Sequence, residues 1–212
     1  MKFIFGLLYC GFIFASAVAE AEIRTARIFD IGKTDGVSRF TQSTEVTVTG
    51  ADKLWLSSIK DSTGTVVMTE KAIIKDGKII YQYIEQLQIN ESYELKTEGN
   101  KASFETFEIV DGKKGKSKGS GTVSIEKGMI TGPMTESFLH QHWDRLMSGE
   151  TVKAEFGVFE FSKTVTFQFK KMKADEKSIL MQMKPAGFIV SMLVDPMTIE
   201  FDAKSKAMVR FV

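Results

Sequence analysis

The chain carries two histidines and one cysteine, so metal or nucleophilic chemistry would have to start from His140, His142 and Cys10. An His-x-His pair on a strand would aim both rings at one ion. On a helix the two side chains diverge by about 200° and cannot grip the same metal. With no second cysteine to complete a ligand set, no metal site is expected. His142 as a general base lacks a nucleophile: there is no Gly-x-Ser-x-Gly, and Ser120 and Ser124 lie in a strand-like run with no activating neighbour. Carboxylates are plentiful but scattered, so spacing picks out no acid and base pair. Gly115-Lys116-Ser117 imitates the end of a phosphate-binding loop without its first glycine, and no dinucleotide fingerprint occurs. No catalytic residue and no cofactor are expected.

The cysteine lies in a segment with its own logic. Met1-Lys2 begins it, Phe3 to Phe14 is apolar almost throughout, and Ala15, Ala17 and Ala19 supply small residues at alternate positions. This is the three-part pattern of a secretory signal peptide, with cleavage expected after Ala19. The apolar run is too short for a transmembrane helix, which needs about 20 residues. Tyr9 before Cys10 does not fit a lipoprotein signal. Residues 1–19 contain Lys2 and no acid, so the mature chain, 20–212, carries 27 basic and 27 acidic side chains. Such balance gives no general attraction to nucleic acid. The expectations are an exported, periplasmic protein with no membrane span after cleavage and no nucleic-acid partner.

Short runs rich in Thr, Val, Ile, Tyr and Phe fill 22–110, punctuated by Asp35-Gly36, Asp76-Gly77 and Asp111-Gly112. Asp-Gly tolerates the positive φ of tight hairpins. Strands are expected near 23–31, 44–49, 53–60, 65–75, 78–88, 92–97 and 102–109. A two-residue turn at Asp76-Gly77 would pair Ile74 with Ile79 and Ala72 with Tyr81, and on the other face Ile73 with Ile80. Residues 111–121 hold four Lys, four Gly and no apolar side chain, and read as a flexible loop joining halves 20–110 and 121–212 of one domain. A hairpin is expected at 121–131.

Phe138, Leu139, His142, Trp143 and Leu146 fall on one stripe of a helix spanning about 134–148, with Gly132-Pro133 at its entry and Gly149 as its C-terminal cap. Beyond it, Val165, Phe167 and Phe169 alternate with Thr166, Gln168 and Lys170. Ile179, Met181 and Met183 alternate likewise, as do Met197, Ile199 and Phe201, then Val209 and Phe211. These are half-buried antiparallel strands. A change of phase after Phe156 predicts a bend near Gly157. The run 186–195 fits a short helix or a buried strand equally. The fold class is mainly β (α+β): a curved antiparallel sheet or half-barrel with one amphipathic helix packed on it.

Met and Phe are adaptable linings for an apolar ligand as well as ordinary core residues. Phe138, Trp143, Phe156, Phe167, Phe169, Met181, Met183, Phe188 and Met192 are the expected lining of a cleft between helix and sheet.

The order Phe138-Leu139-x-x-x-Trp143-Asp144-x-Leu146-x-x-Gly149, then Val152 and Phe156, then Leu193-Val194-Asp195-Pro196-x-x-Ile199-x-Phe201-Asp202, resembles a group of uncharacterised exported bacterial proteins. Their shape is similar to the half-barrel of periplasmic lipoprotein carriers. The resemblance spans roughly 131–211 and implies a half-barrel that binds lipid. The leading expectation is therefore an envelope binding protein for a lipid or acyl chain. The alternative is a structural or interaction protein with a packed core and an envelope protein as partner.

Overall fold

The alternating runs of the first 124 residues pair as consecutive antiparallel strands, and those after residue 150 do the same in a second sheet. A computed structural model describes residues 20–28, 38–187 and 195–211. The larger sheet contains β1 (Glu20–Ile28), β2 (Phe40–Thr49), β3 (Asp52–Asp61), β4 (Val66–Lys75), β5 (Lys78–Gln86), β6 (Glu91–Glu98), β7 (Lys101–Val110) and β8 (Lys113–Ser124) in chain order. The smaller sheet contains β9 (Thr151–Val158), β10 (Lys163–Ala174), β11 (Ser178–Pro185), β12 (Met197–Asp202) and β13 (Met208–Phe211), with β9 and β13 at its edges. Neither sheet closes into a barrel.

Turn chemistry accounts for much of this order. Asp76 and Gly77 adopt φ of 48° and 71°, and Asp111 and Gly112 adopt 51° and 69°, the double left-handed geometry of a two-residue hairpin turn. Asp35-Gly36 lies outside the described residues. Asp175 fixes the β10–β11 turn by accepting the N–H groups of Ser178 (2.9 Å) and Lys177 (3.0 Å). These bonds, led by that of Ser178, and the Lys173 ammonium hold its carboxyl down at about 2.

Two features of the larger sheet depart from the alternation. First, 113–124 is a strand and not a flexible loop. Pairing uses backbone groups alone, so a run without apolar side chains can add to an edge, where lysines then guard it against further pairing. The hairpin expected at 121–131 is likewise absent: β8 ends at Ser124, and Ile130 instead forms a parallel bridge to Phe156. Second, a bulge interrupts β4–β5. Ile74 faces Ile79 as the turn requires, but Ile73 then faces Tyr81 and Ala72 faces Gln82. The extra residue reverses the parity of β5, so Gln82 and not Tyr81 enters the core face.

The helical segment is interrupted. A 3₁₀ turn at Gly132–Met134 leads into α1 (Thr135–Gln141) and α2 (Trp143–Met147), with His142 leaving helical geometry between them. Gly149 ends it at φ 93°. The Gly149 N–H donates to Leu146 O and the Glu150 N–H to Arg145 O, both at 3.0 Å, which is the paired bonding of a Schellman cap. Leu139, Trp143 and Leu146 are buried.

The smaller sheet buries Val152, Ala154, Phe167, Phe169, Ile179, Met181, Met183, Ile199 and Phe201. β13 does not follow: Val209 and Phe211 are more than half exposed, because this edge strand lies beyond the packed core. The phase change in β9 involves no bulge, since its register with β10 runs unbroken from Thr151 to Val158. Instead β9 changes the neighbour it packs on. Gly157 abuts Met129, Thr131 and Phe104, and Phe159 meets Phe104 and Tyr93 of the larger sheet edge-on at 5.7 and 6.0 Å. The two sheets thereby share one core.

Gly121 in β8 completes this joint. A Cβ there would stand 2.6 Å from the Ser162 carbonyl oxygen, whereas one at Gly119 would touch nothing. Gly121→Ala is expected to cost about 1–3 kcal/mol in urea unfolding, and Gly119→Ala to leave stability within about 0.5 kcal/mol of the parent.

Candidate functional site

Seven of the nine expected lining residues lie together where the helical segment packs on the smaller sheet. Phe156, Phe167 and Phe169 come from one face of β9 and β10, Met181 and Met183 from β11, and Phe138 and Trp143 from the helical segment. Phe188 and Met192 lie outside the described residues. The seven pack on one another and on their neighbours: ring centroids are 5.6 Å apart for Phe138–Phe169, 5.6 Å for Phe156–Phe167 and 5.2 Å for Trp143–Phe201. Phe169 and Met181 are fully buried.

The histidines serve this packing. His142 lies edge-on to Phe138 at 4.7 Å. His140 is exposed, and its Nε2 is 2.7 Å from the Lys206 carbonyl on the β12–β13 turn, so it holds that turn to the helix. The described surface includes two open depressions. One, of about 180 Å³, lies over Thr151, Gln168, Lys170, Gln182 and Lys184; the other, of about 330 Å³, lies among residues 38–41 and 60–64. Neither is lined by the nine residues.

The polar chemistry is concentrated elsewhere, on the core face of the larger sheet. One row of directly opposed residues across β2 to β8 reads Val46, Trp55, Ala72, Gln82, Leu95, Phe104 and Gly121. The adjacent row reads Thr44, Ser57, Glu70, Ile84, Tyr93, Thr106 and Gly119. At β2–β5 the two rows together form a polar cluster within an apolar surface. Gln42 Nε2 and Thr44 Oγ1 donate to Ser57 Oγ at 2.9 and 3.1 Å. Trp55 Nε1 donates to one Glu70 oxygen at 3.1 Å and Gln82 Nε2 to the other at 2.6 Å.

Glu70 forms no ion pair with a cation among the described residues. Burial pushes its carboxyl above the usual range, against the opposing pull of the Gln82 and Trp55 hydrogen bonds. Behind it, Gln82 is only 2% exposed and its Oε1 accepts no hydrogen bond from the described residues. Spacing alone did not single out these residues, yet a signal exists: Glu70 shares the phase of Met68 and Ala72, so a charged side chain occupies a core position. Gln82 had no such signal, because only the bulge brings it inward.

Three comparisons with known proteins found no counterpart: no protein-family model, no curated protein and no solved structure matches the chain.

The energetics of Glu70 have a definite sign. Folded Glu70 keeps its proton to higher pH than the unfolded chain does, so the folded state binds more protons between the two titration points. Stability therefore falls as pH rises through that window. In Glu70→Gln the amide can still accept from Trp55, and it can donate to Gln82 Oε1 only if the Gln82 amide turns over and gives up its present Nε2 bond, so the gain lies in removing the charge and not in an added hydrogen bond. The variant is expected to be more stable than the parent at pH 7, by on the order of 1 kcal/mol. This advantage should shrink below about pH 4, where the acid is neutral in both states. Thermal melts of both proteins from pH 3.5 to 8 check this.

Proposed function

We propose that the chain is an exported binding protein for an amphipathic ligand with an acyl or similar apolar chain, and that the larger sheet acts as a half-barrel around that ligand. The observation that carries the reading is the character of the sheet's core face. An apolar surface running from Leu95 and Phe104 into the shared core turns polar at Ser57, Glu70 and Gln82, and a half-buried carboxylate stands there without a cation among the described residues. Such a surface matches a molecule with one apolar and one polar end.

The half-barrel reading draws support from both edges of the larger sheet. At β1, Arg24 forms an ion pair with Glu136 of α1, whose other carboxylate oxygen accepts the Met208 N–H at 3.0 Å. At β8, Gly121 meets Ser162. Both edges thus reach the segment between residues 136 and 162, as a sheet wrapped about that segment would. Export rests on the leader pattern of residues 1–19, which lies outside the described residues. No helix among the described residues is long and apolar enough to cross a membrane.

One observation favours the alternative, an interaction protein with a packed core: Phe138, Trp143, Phe156, Phe167, Phe169, Met181 and Met183 contact one another and their neighbours tightly. Organic extraction of the purified mature protein with mass spectrometry separates the two. Recovery of an acyl-bearing lipid approaching one per chain is expected. No recovered lipid, together with no displacement of a fluorescent fatty acid by envelope lipids, would leave the packed-core reading standing alone.

A further inference from the structure

We infer that the polar cluster on the core face of the larger sheet binds a primary ammonium group, which makes the ligand an aminated amphiphile; this rests on the amphiphile reading above and specifies its polar end. Three observations converge on β3, β4 and β5. Glu70 supplies a desolvated carboxylate with no counter-ion among the described residues, held in place by Trp55 Nε1 at 3.1 Å. Gln82 supplies a second acceptor, Oε1, buried and without a donor. The oxygen and nitrogen of an amide are about 2.2 Å apart, and Gln82 Nε2 is 2.6 Å from Glu70 Oε1. The free carbonyl and the carboxylate are therefore close enough for a single cationic head to bridge.

Charge and coordination narrow the class. Two acceptors, one of them anionic, call for a cation rich in donors, and an ammonium has three N–H groups and no acceptor of its own. A divalent metal needs a larger set of oxygen ligands, and no group of three His, Cys, Asp or Glu side chains capable of holding one occurs among the described residues. An anionic head would meet Glu70 with like charge. Stability also fails to explain the acid, because glutamine at position 70 would remove a half-buried charge with no loss in the number of hydrogen bonds. A residue that lowers stability where its neutral isostere would raise it is the mark of a site shaped by binding.

Calorimetric titration of the mature protein with dodecylammonium, dodecanol and butylammonium, below micelle-forming concentrations, tests the assignment in parent, Glu70→Gln and Gln82→Leu. Dodecylammonium should bind one per chain, at least tenfold more tightly than dodecanol. Glu70→Gln, a variant expected to fold more stably, should weaken dodecylammonium at least tenfold and dodecanol less than threefold; Gln82→Leu should weaken dodecylammonium at least threefold. Butylammonium binding as tightly as the dodecyl compound, with the same dependence on Glu70, would keep the ammonium site and remove the acyl chain from the account. Equal binding of alcohol and ammonium, or an unaltered ammonium affinity in Glu70→Gln, would overturn the ammonium site while leaving amphiphile binding intact. Binding of none of the three would overturn both.

Discussion

The two sheets depend on one joint, where Phe159 leaves the end of β9 and inserts edge-on between Tyr93 and Phe104 of the larger sheet. Backbone pairing holds each sheet internally, but only close packing can hold one sheet to another, and close packing here requires two glycines. Gly157 lets Met129, Thr131 and Phe104 approach β9, and Gly121 lets the Ser162 carbonyl approach β8. Ile130 ties the connecting segment to β9, donating its N–H to Glu155 O and accepting the Gly157 N–H, both at 2.9 Å. The helical segment starts immediately afterwards, so its position over the smaller sheet follows from the same anchor.

From that joint the molecule divides its labour. Under the helix, aromatic and methionine side chains fill the smaller sheet's covered face, and edge-to-face contacts of this kind contribute about 0.5–1.5 kcal/mol per pair beyond area burial. On the larger sheet the core face mixes apolar rows with Ser57, Glu70 and Gln82. A fully apolar face would be the simpler route to a stable core, because each buried polar atom must find a partner or cost about 1–3 kcal/mol. The Glu70–Gln82 pair leaves one acceptor unmatched and one charge uncompensated. Apolar side chains at both positions would leave neither defect.

Most of the architecture was legible in the sequence because two local rules carry it. Asp76-Gly77 and Asp111-Gly112 mark tight turns whatever surrounds them, and period-two alternation in 164–170, 179–183 and 197–201 identifies the buried face of three strands. The exceptions have physical reasons. The lysine- and glycine-rich run after Asp111 reads as loop by composition, yet an edge strand needs no apolar side chain. Val209 and Phe211 alternate like core residues, yet β13 lies beyond the packed core. The site was the least legible part. Trp143 and the phenylalanines stand out in the sequence as apolar, which is also what makes them good core. Glu70 and Gln82 become neighbours on one face only through a bulge at Ile80, a register shift of one residue that no short-range pattern announces.

The chain has two tryptophans, and they report separately on the two surfaces: Trp55 donates its indole N–H to Glu70, while Trp143 packs on Phe201 beneath the turn that carries Lys206. The most direct measurement is therefore a heteronuclear NMR spectrum of the two indole N–H groups during titration with dodecylammonium. A saturable shift of the Trp55 indole resonance, with that of Trp143 moving little, is the predicted result. A shift confined to Trp143, or no shift in either, would contradict the account.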